Sequence, residues 1–216
     1  MYRVSVSILE KFRRMVDNVS DFDTEASLIE SITGRFVGND KTRLGQAFHK
    51  IIELPFDLNG SLTVEGLTFT PEQAQPAIDY RNSHLLMIHE VPTKKVYMTR
   101  HLELLVTGRA DGVEGIHLRD AKTKFSYPGW GEYYSSYQWR YYLDMFDAHY
   151  FWYDVFEVRG YTGTDQSGRF DGQIIPHEPF PCLRYDKLSD DVQNLADEFA
   201  KFMTIKNYTH LLTKVI

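Results

Sequence analysis

The amino-acid sequence predicts an α/β protein: a single domain over residues 1–216, with a central mixed β-sheet flanked by helices. Three observations carry this. Apolar residues recur at helical spacing through much of the first ninety positions. From about Lys95 to Thr123 the pattern changes to β-rich runs separated by a tight glycine turn. An aromatic strand, Tyr150–Arg159, then stands between two further helical stretches, so helix and strand are interleaved along the chain.

Taken in order, Ser5 to Val19 reads as an amphipathic helix. Ile8, Phe12, Met15 and Val16 share one face, and Lys11, Arg13 and Arg14 lie largely off it, as a solvated face would. Thr24 is placed to cap a second short helix ending near Gly34. A third helix is expected from about Leu44 to Leu54, stopped by Pro55. Thr70-Pro71-Glu72-Gln73 has the chemistry of a helix start, with a Thr cap, Pro at the first position and Gln three residues after the cap. That helix is expected to reach His89, with an irregularity at Pro76.

Val96 to His101 forms a strand of its own in this reading. Leu102–Val113 and Ile116–Thr123 form a hairpin turning at Glu114-Gly115. A helix follows from about Glu132 to Phe146, then the strand Tyr150–Arg159, whose run of aromatics suits burial on both faces. Gly160–Gly172 is a polar hairpin loop returning through Gln173–Ile175. Ser189 caps a last helix that buries Val192, Leu195, Ala196, Phe199 and Met203.

The chain has 43% hydrophobic and 25% charged residues, which excludes a disordered polar polymer. A single cysteine, Cys182, excludes an internal disulfide, a Cys-based zinc site and a four-Cys iron–sulfur cluster, and its apolar neighbours suit packing. No apolar run reaches the length of a membrane span, and the first residues lack a signal-peptide stretch, so an intracellular, cytoplasmic protein without a membrane partner is expected. A net charge of −6 argues against bulk adhesion to nucleic acid but is compatible with a local basic groove.

The chemistry concentrates in Gly108-Arg-Ala-Asp111-Gly and Asp120-Ala-Lys122-Thr. Asp120 and Lys122 are two apart on a strand and leave it on one side. With the turn at Glu114-Gly115, Asp111 opposes Leu118 and sits diagonally to Asp120, roughly 7–8 Å away at the backbone. Two carboxylates at that separation suit one hard divalent cation, Mg²⁺ or Mn²⁺. His49 and Glu53 are one helical turn apart and can add to its shell, and Lys122 is placed to act on an attacking water. Gln138 and Tyr142 repeat the one-turn spacing, with Tyr134 a turn earlier, offering amide and phenol groups to a nucleotide strand.

In this order, Ser5-Val-Ser-Ile-Leu-Glu-Lys-Phe, Gly45…His49…Glu53, Gly108-Arg-Ala-Asp111-Gly, Asp120-Ala-Lys122-Thr and Gln138-x-x-x-Tyr142 resemble the PD-(D/E)XK nucleases, and within them the RecB-type exonuclease branch. The resemblance spans roughly residues 3–145. It implies a restriction-endonuclease-like core and metal-dependent hydrolysis of DNA phosphodiesters, as an exonuclease in recombination, repair or phage DNA processing. By position it implies His49, Asp111, Asp120 and the Ala121 carbonyl as metal ligands, Lys122 as the catalytic lysine, and Glu53 as a supporting acid. Gln138 and Tyr142 would be the substrate-side motif. DNA is the implied partner, with a recombination or annealing protein as a second. Many relatives bind an iron–sulfur cluster through flanking cysteines, and Cys182 alone cannot, so the resemblance is to a cluster-free form.

Two rivals are weighed against this. A non-catalytic nuclease-fold module binding DNA or protein keeps the fold but loses an acid or the lysine; Asp111, Asp120 and Lys122 are all present. A mononuclear iron oxygenase would use His101-Leu-Glu103 with His149 or His177 as a third ligand, a spacing that arises easily by chance.

Overall fold

The computed structural model describes residues 1–35, 38–54, 60–127 and 129–215. Ten strands and seven α-helices are found among them. The chain opens with β1 (Tyr2–Ser5), whose last residue caps α1 (Val6–Val16) by accepting a hydrogen bond from the Ile8 amide. Helices α2 (Glu25–Ile32) and α3 (Asp40–Glu53) follow, capped by Thr24 and Asn39. The short hairpin β2 (Leu62–Val64) and β3 (Leu67–Phe69) leads into α4 (Pro71–Ser83). Then come β4 (Ile88–Met98), β5 (Glu103–Glu114), β6 (His117–Lys124), α5 (Gly131–Ser135), α6 (Gln138–Phe146) and β7 (Tyr150–Arg159). Strands β8 (Gln173–Pro176) and β9 (Phe180–Leu183), helix α7 (Leu188–Ile205) and β10 (Thr213–Lys214) complete it.

Eight strands form one mixed sheet in the order β10-β1-β5-β6-β7-β8, with β4 beside β5 and β9 beside β7. β1 runs parallel to β5, and β6 parallel to β7, as strands joined through helices do. Two apolar layers cover the sheet. One joins Leu9, Phe12, Trp139, Tyr141, Leu143, Val192 and Phe199 of α1, α6 and α7 to Val106, Tyr153 and Val155. The other joins Leu44, Phe48, Ile51, Ala74 and Ala77 of α3 and α4 to Ala121, Phe156, Val158 and Ile174. The α/β domain with a central mixed sheet flanked by helices is thus the observed fold. No helix among the described residues is long and apolar enough to cross a membrane.

Several boundaries move. Helix α3 starts at Asp40, because Asn39 caps it, four residues before the expected position; the stop at Pro55 lies outside the described residues. Helix α4 has the expected Thr70–Gln73 capping box but ends at Ser83, and the stretch to His89 instead turns into β4. The helix expected over 132–146 is broken at Ser136-Tyr137, where the Tyr137 amide donates to Glu10 Oε2 of α1 at 2.6 Å. Ser189 does not cap α7; it lies inside the first turn and its hydroxyl donates to Asp144 Oδ1. Arg13 is not solvated: it is 5% exposed and held between Glu10 and Asp17, while Arg14 pairs with Asp23 and Glu132. β7 is buried along both faces, as expected, and Cys182 is packed, its thiol pushed up to about 12 by burial.

The face of β6 and β7 under α4 carries a buried ion pair. Arg119 Nη1 donates to both Asp154 oxygens at 2.7 and 2.8 Å, and the Tyr80 hydroxyl donates to Asp154 Oδ2 at 2.7 Å. Asp154→Ala leaves the buried guanidinium with only Glu114, 3.7 Å from its Nε, so a loss of about 3 kcal/mol is expected in urea unfolding. An unchanged midpoint would show that water reaches Arg119 freely.

Candidate active site

The β5–β6 hairpin builds one half of the site. Glu114 pairs with His117, so the two-residue turn is Gly115-Ile116, one position later than expected. Gly115 has φ +60°, the conformation that the first central position of a type II′ turn requires. Pairing Gly112 with Arg119 then brings Asp111 level with Asp120 instead of diagonal to it. The shift is an even one, so both side chains keep their side of the strand. The hydrogen-bonded ladder stops at Gly112–Arg119, and the two carboxylates face the gap beyond it.

Helix α3 supplies the other half. His49 Nδ1 stands 3.6 Å from Asp111 Oδ2. Burial pushes the imidazole pKa down, Lys122 adds to this, and a backbone hydrogen bond with Ala121 opposes it, so the ring is neutral near pH 7. Lys122 Nζ lies 2.8 Å from Asp120 Oδ1 and 2.6 Å from Oδ2. Burial works against its charge, but the Asp120 and Asp111 carboxylates outweigh burial and hold the ammonium above its ordinary range. The Asp111 carboxyl is pushed up to about 8, first by burial and then by repulsion from Asp120, with Glu90 adding to it. Glu53 pairs with Lys50 at 2.7 Å and joins His49, Asp111 and Ala121 around a cavity of about 10 Å³.

Helix α6 carries the two expected substrate-side groups, and both also make contacts within the protein. Gln138 Nε2 donates to Asp120 Oδ1 at 3.1 Å, so it orients a carboxylate. Tyr142 is 6% exposed; its hydroxyl donates to the Arg109 carbonyl at 2.8 Å and accepts from the Arg109 amide at 3.2 Å. A Cβ on Gly108 would stand 2.7 Å from the Tyr142 ring, which explains glycine there. Tyr142 therefore fixes β5 two residues before Asp111. Tyr142→Phe loses both bonds, and about 1 kcal/mol of stability should go with them in thermal unfolding. A midpoint equal to wild type would mean the strand is fixed without them. Tyr134 stands apart, 63% exposed beside Trp139.

One residue escaped the sequence reading. Glu90 lies across from Asp111 on β4, with φ +56°, and pairs with Arg109 at 2.9 Å. A non-glycine residue in that conformation is strained, as residues near sites often are. It lies in a stretch between His89 and Lys95 to which the sequence reading assigns no element.

The donors suit a hard divalent cation. Asp111 Oδ2 and Asp120 Oδ2 are both buried, the second held by Lys122 at 2.6 Å, and such a cation would offset the burial and the carboxylate repulsion that push the Asp111 carboxyl up. A neutral imidazole is beside them. Among the described residues no three or more His, Cys, Asp or Glu side chains stand as a ready-made metal site, so a cation would have to draw His49, Asp111 and Asp120 together and take its remaining ligands from water or substrate. His101, Glu103, His149 and His177 form no such group either, and His177 is bound to Glu157.

No family model and no curated protein matches the chain. Among solved structures, one described as "Crystal structure of SSO0001" is similar with a TM-score of 0.55 and 14% identity, over 94% of this chain and 77% of that one. At that identity the likeness shows a shared fold.

Proposed function

We propose that the protein is a metal-dependent deoxyribonuclease of the PD-(D/E)XK kind, RecB-like in its motif order, hydrolysing DNA phosphodiesters as an exonuclease. The observation that carries this reading is the meeting of Asp111, Asp120, His49 and Lys122 at the splayed end of the β5–β6 ladder. There Asp120 Oδ2 lies 2.6 Å from the Lys122 ammonium, and Asp111 Oδ2 lies 3.6 Å from His49 Nδ1.

Mg²⁺ or Mn²⁺, held by Asp111, Asp120, His49 and the Ala121 carbonyl, would supply charge neutralisation for phosphate and a more acidic water. The chain's own groups do the rest. Lys122, a cation held beside Asp120, would donate hydrogen bonds to the attacking water or a phosphate oxygen. Gln138 bonds Asp120 Oδ1, and Tyr142 holds Arg109 and so the stretch of β5 that carries Asp111. Glu53 lies behind His49 with its charge matched by Lys50.

The test is incubation of end-labelled single- and double-stranded DNA and closed circles with Mg²⁺, Mn²⁺ or EDTA. Metal-dependent loss of linear DNA with circles spared supports an exonuclease; loss of circles makes it an endonuclease. Folded protein that binds metal and cleaves nothing would favour the binding-module reading, in which the fold holds DNA or a protein without turnover.

A further inference from the structure

We infer that the exposed face of β4, β5 and β1 is the path of a single DNA strand leading to the site, an assignment that rests on the nuclease reading. A groove of about 1020 Å³ opens there, lined among others by Arg3, Lys94, Arg109, Leu105, Thr107 and Gln138.

The register fixes how its cations are spaced. Arg3 pairs with Leu105 and Lys94 with Thr107, and residues 105, 107 and 109 leave β5 on one side. Counted from Asp111, the cations Arg109, Lys94 and Arg3 therefore follow at successive two-residue steps, each about 6.6 Å along the strand. Lys94 lies on one flank of β5 and Arg3 on the other, so the row has the width of three strands. One phosphate backbone can follow such a row; a duplex, with two backbones, would need a second.

The charges in this row are notable for their availability. Most cations near the site are already matched: Arg13, Arg14, Lys50, Arg119, Lys122 and Lys124 all sit in ion pairs. Arg3 and Lys94 are exposed and have no ion pair among the described residues. Arg109 is 64% exposed at its side chain and tied to Glu90, which joins the row to the strained position opposite Asp111. Leu105 and Val96, paired across β5 and β4, give the bases an apolar floor without hydrogen-bond readout. In a chain of net charge −6, two free cations on one open face are a local complement to phosphate. The Gln138 side chain both lines this groove and bonds Asp120, so the path ends at the carboxylates.

The experiment measures fluorescence anisotropy of a labelled oligothymidine of about 15 nucleotides, in EDTA, across a salt series. The proteins are wild type, R3Q/K94Q, and, as a control, K187Q/K201Q, two exposed lysines at the start of and within α7 that do not line the groove. Losing two phosphate contacts should flatten the slope of log K against log salt by about 1.4, and the control should keep the wild-type slope. Circular dichroism checks that each variant is folded. No binding by wild type, an equal slope in R3Q/K94Q, or equal flattening in the control overturns the path, as does tighter wild-type binding to duplex of the same length. Hydrolysis of bis-p-nitrophenyl phosphate by wild type with Mn²⁺ reads the nuclease assignment separately. A positive result there with an unchanged slope means the site is right and the path wrong. Absence of both hydrolysis and DNA binding removes the two together.

Discussion

Lys122→Ala lowers metal-dependent hydrolysis of linear DNA at least about a hundredfold, the scale expected when one donor to developing charge is removed. The ammonium lies within 2.8 Å of both Asp120 oxygens, and Gln138, the other donor to Asp120 Oδ1, is neutral and cannot replace its charge. The variant also leaves a buried carboxylate without its partner, and the metal-free protein should be less stable for it. Lys122→Met, which keeps the stem and loses the charge, separates the two effects. Both variants should retain DNA binding in EDTA while failing to cleave. Wild-type turnover in either one would remove Lys122 from the mechanism.

Asp111→Asn has the opposite effect on the metal-free fold. In the folded protein this carboxyl holds its proton up to about pH 8, well above an unfolded aspartate. Its stabilising share is therefore complete below the unfolded pKa and is lost as pH rises through about 8. At about pH 9 wild type carries two repelling carboxylates, whereas the amide variant carries one. The variant should then be more stable by about 2 kcal/mol, with the gap closing toward pH 5. Added Mn²⁺ should raise the melting temperature of wild type and leave Asp111→Asn nearly unmoved. Equal metal responses would show that Asp111 is not a ligand, and a gap independent of pH would show that burial and repulsion from Asp120 do not raise the Asp111 carboxyl. The wild-type response to metal should itself strengthen from pH 6 to pH 8, because binding must displace the Asp111 proton.

How legible these features were depends on the physical range of each signal. The Thr70–Gln73 capping box, the Tyr150–Arg159 strand and the Asp120–Lys122 pair are written in adjacent residues, and all three stand as read. The Asp111–Asp120 juxtaposition survived an error in the turn because a shift by an even count leaves side chains on the same face. What failed needed distant partners. Nothing local shows that Glu10 and Asp17 would draw Arg13 into the core, or that Glu10 would also bond Tyr137 and break a helix. Strand β9 was missed because Pro181 discourages a strand, and it is tolerated here at the sheet's margin. Gln138 and Tyr142 were found by spacing, but their use in holding Asp120 and β5 follows only from where α6 docks.

The two apolar layers lie on opposite faces of the sheet, and the candidate site draws His49 from one and Gln138 from the other. The site is therefore an assembly joint. The layer built on α3 and α4 is the smaller, and sub-global opening is expected to begin there. On heating, His49 should leave Asp111 while β5, β6 and α6 still hold Lys122 and Asp120 together. Competence for metal would then disappear in a separate step below global melting, and native-state hydrogen exchange would find the amides of α3 opening before those of α7. In refolding, the order reverses, and the site would be the last part of the molecule to form.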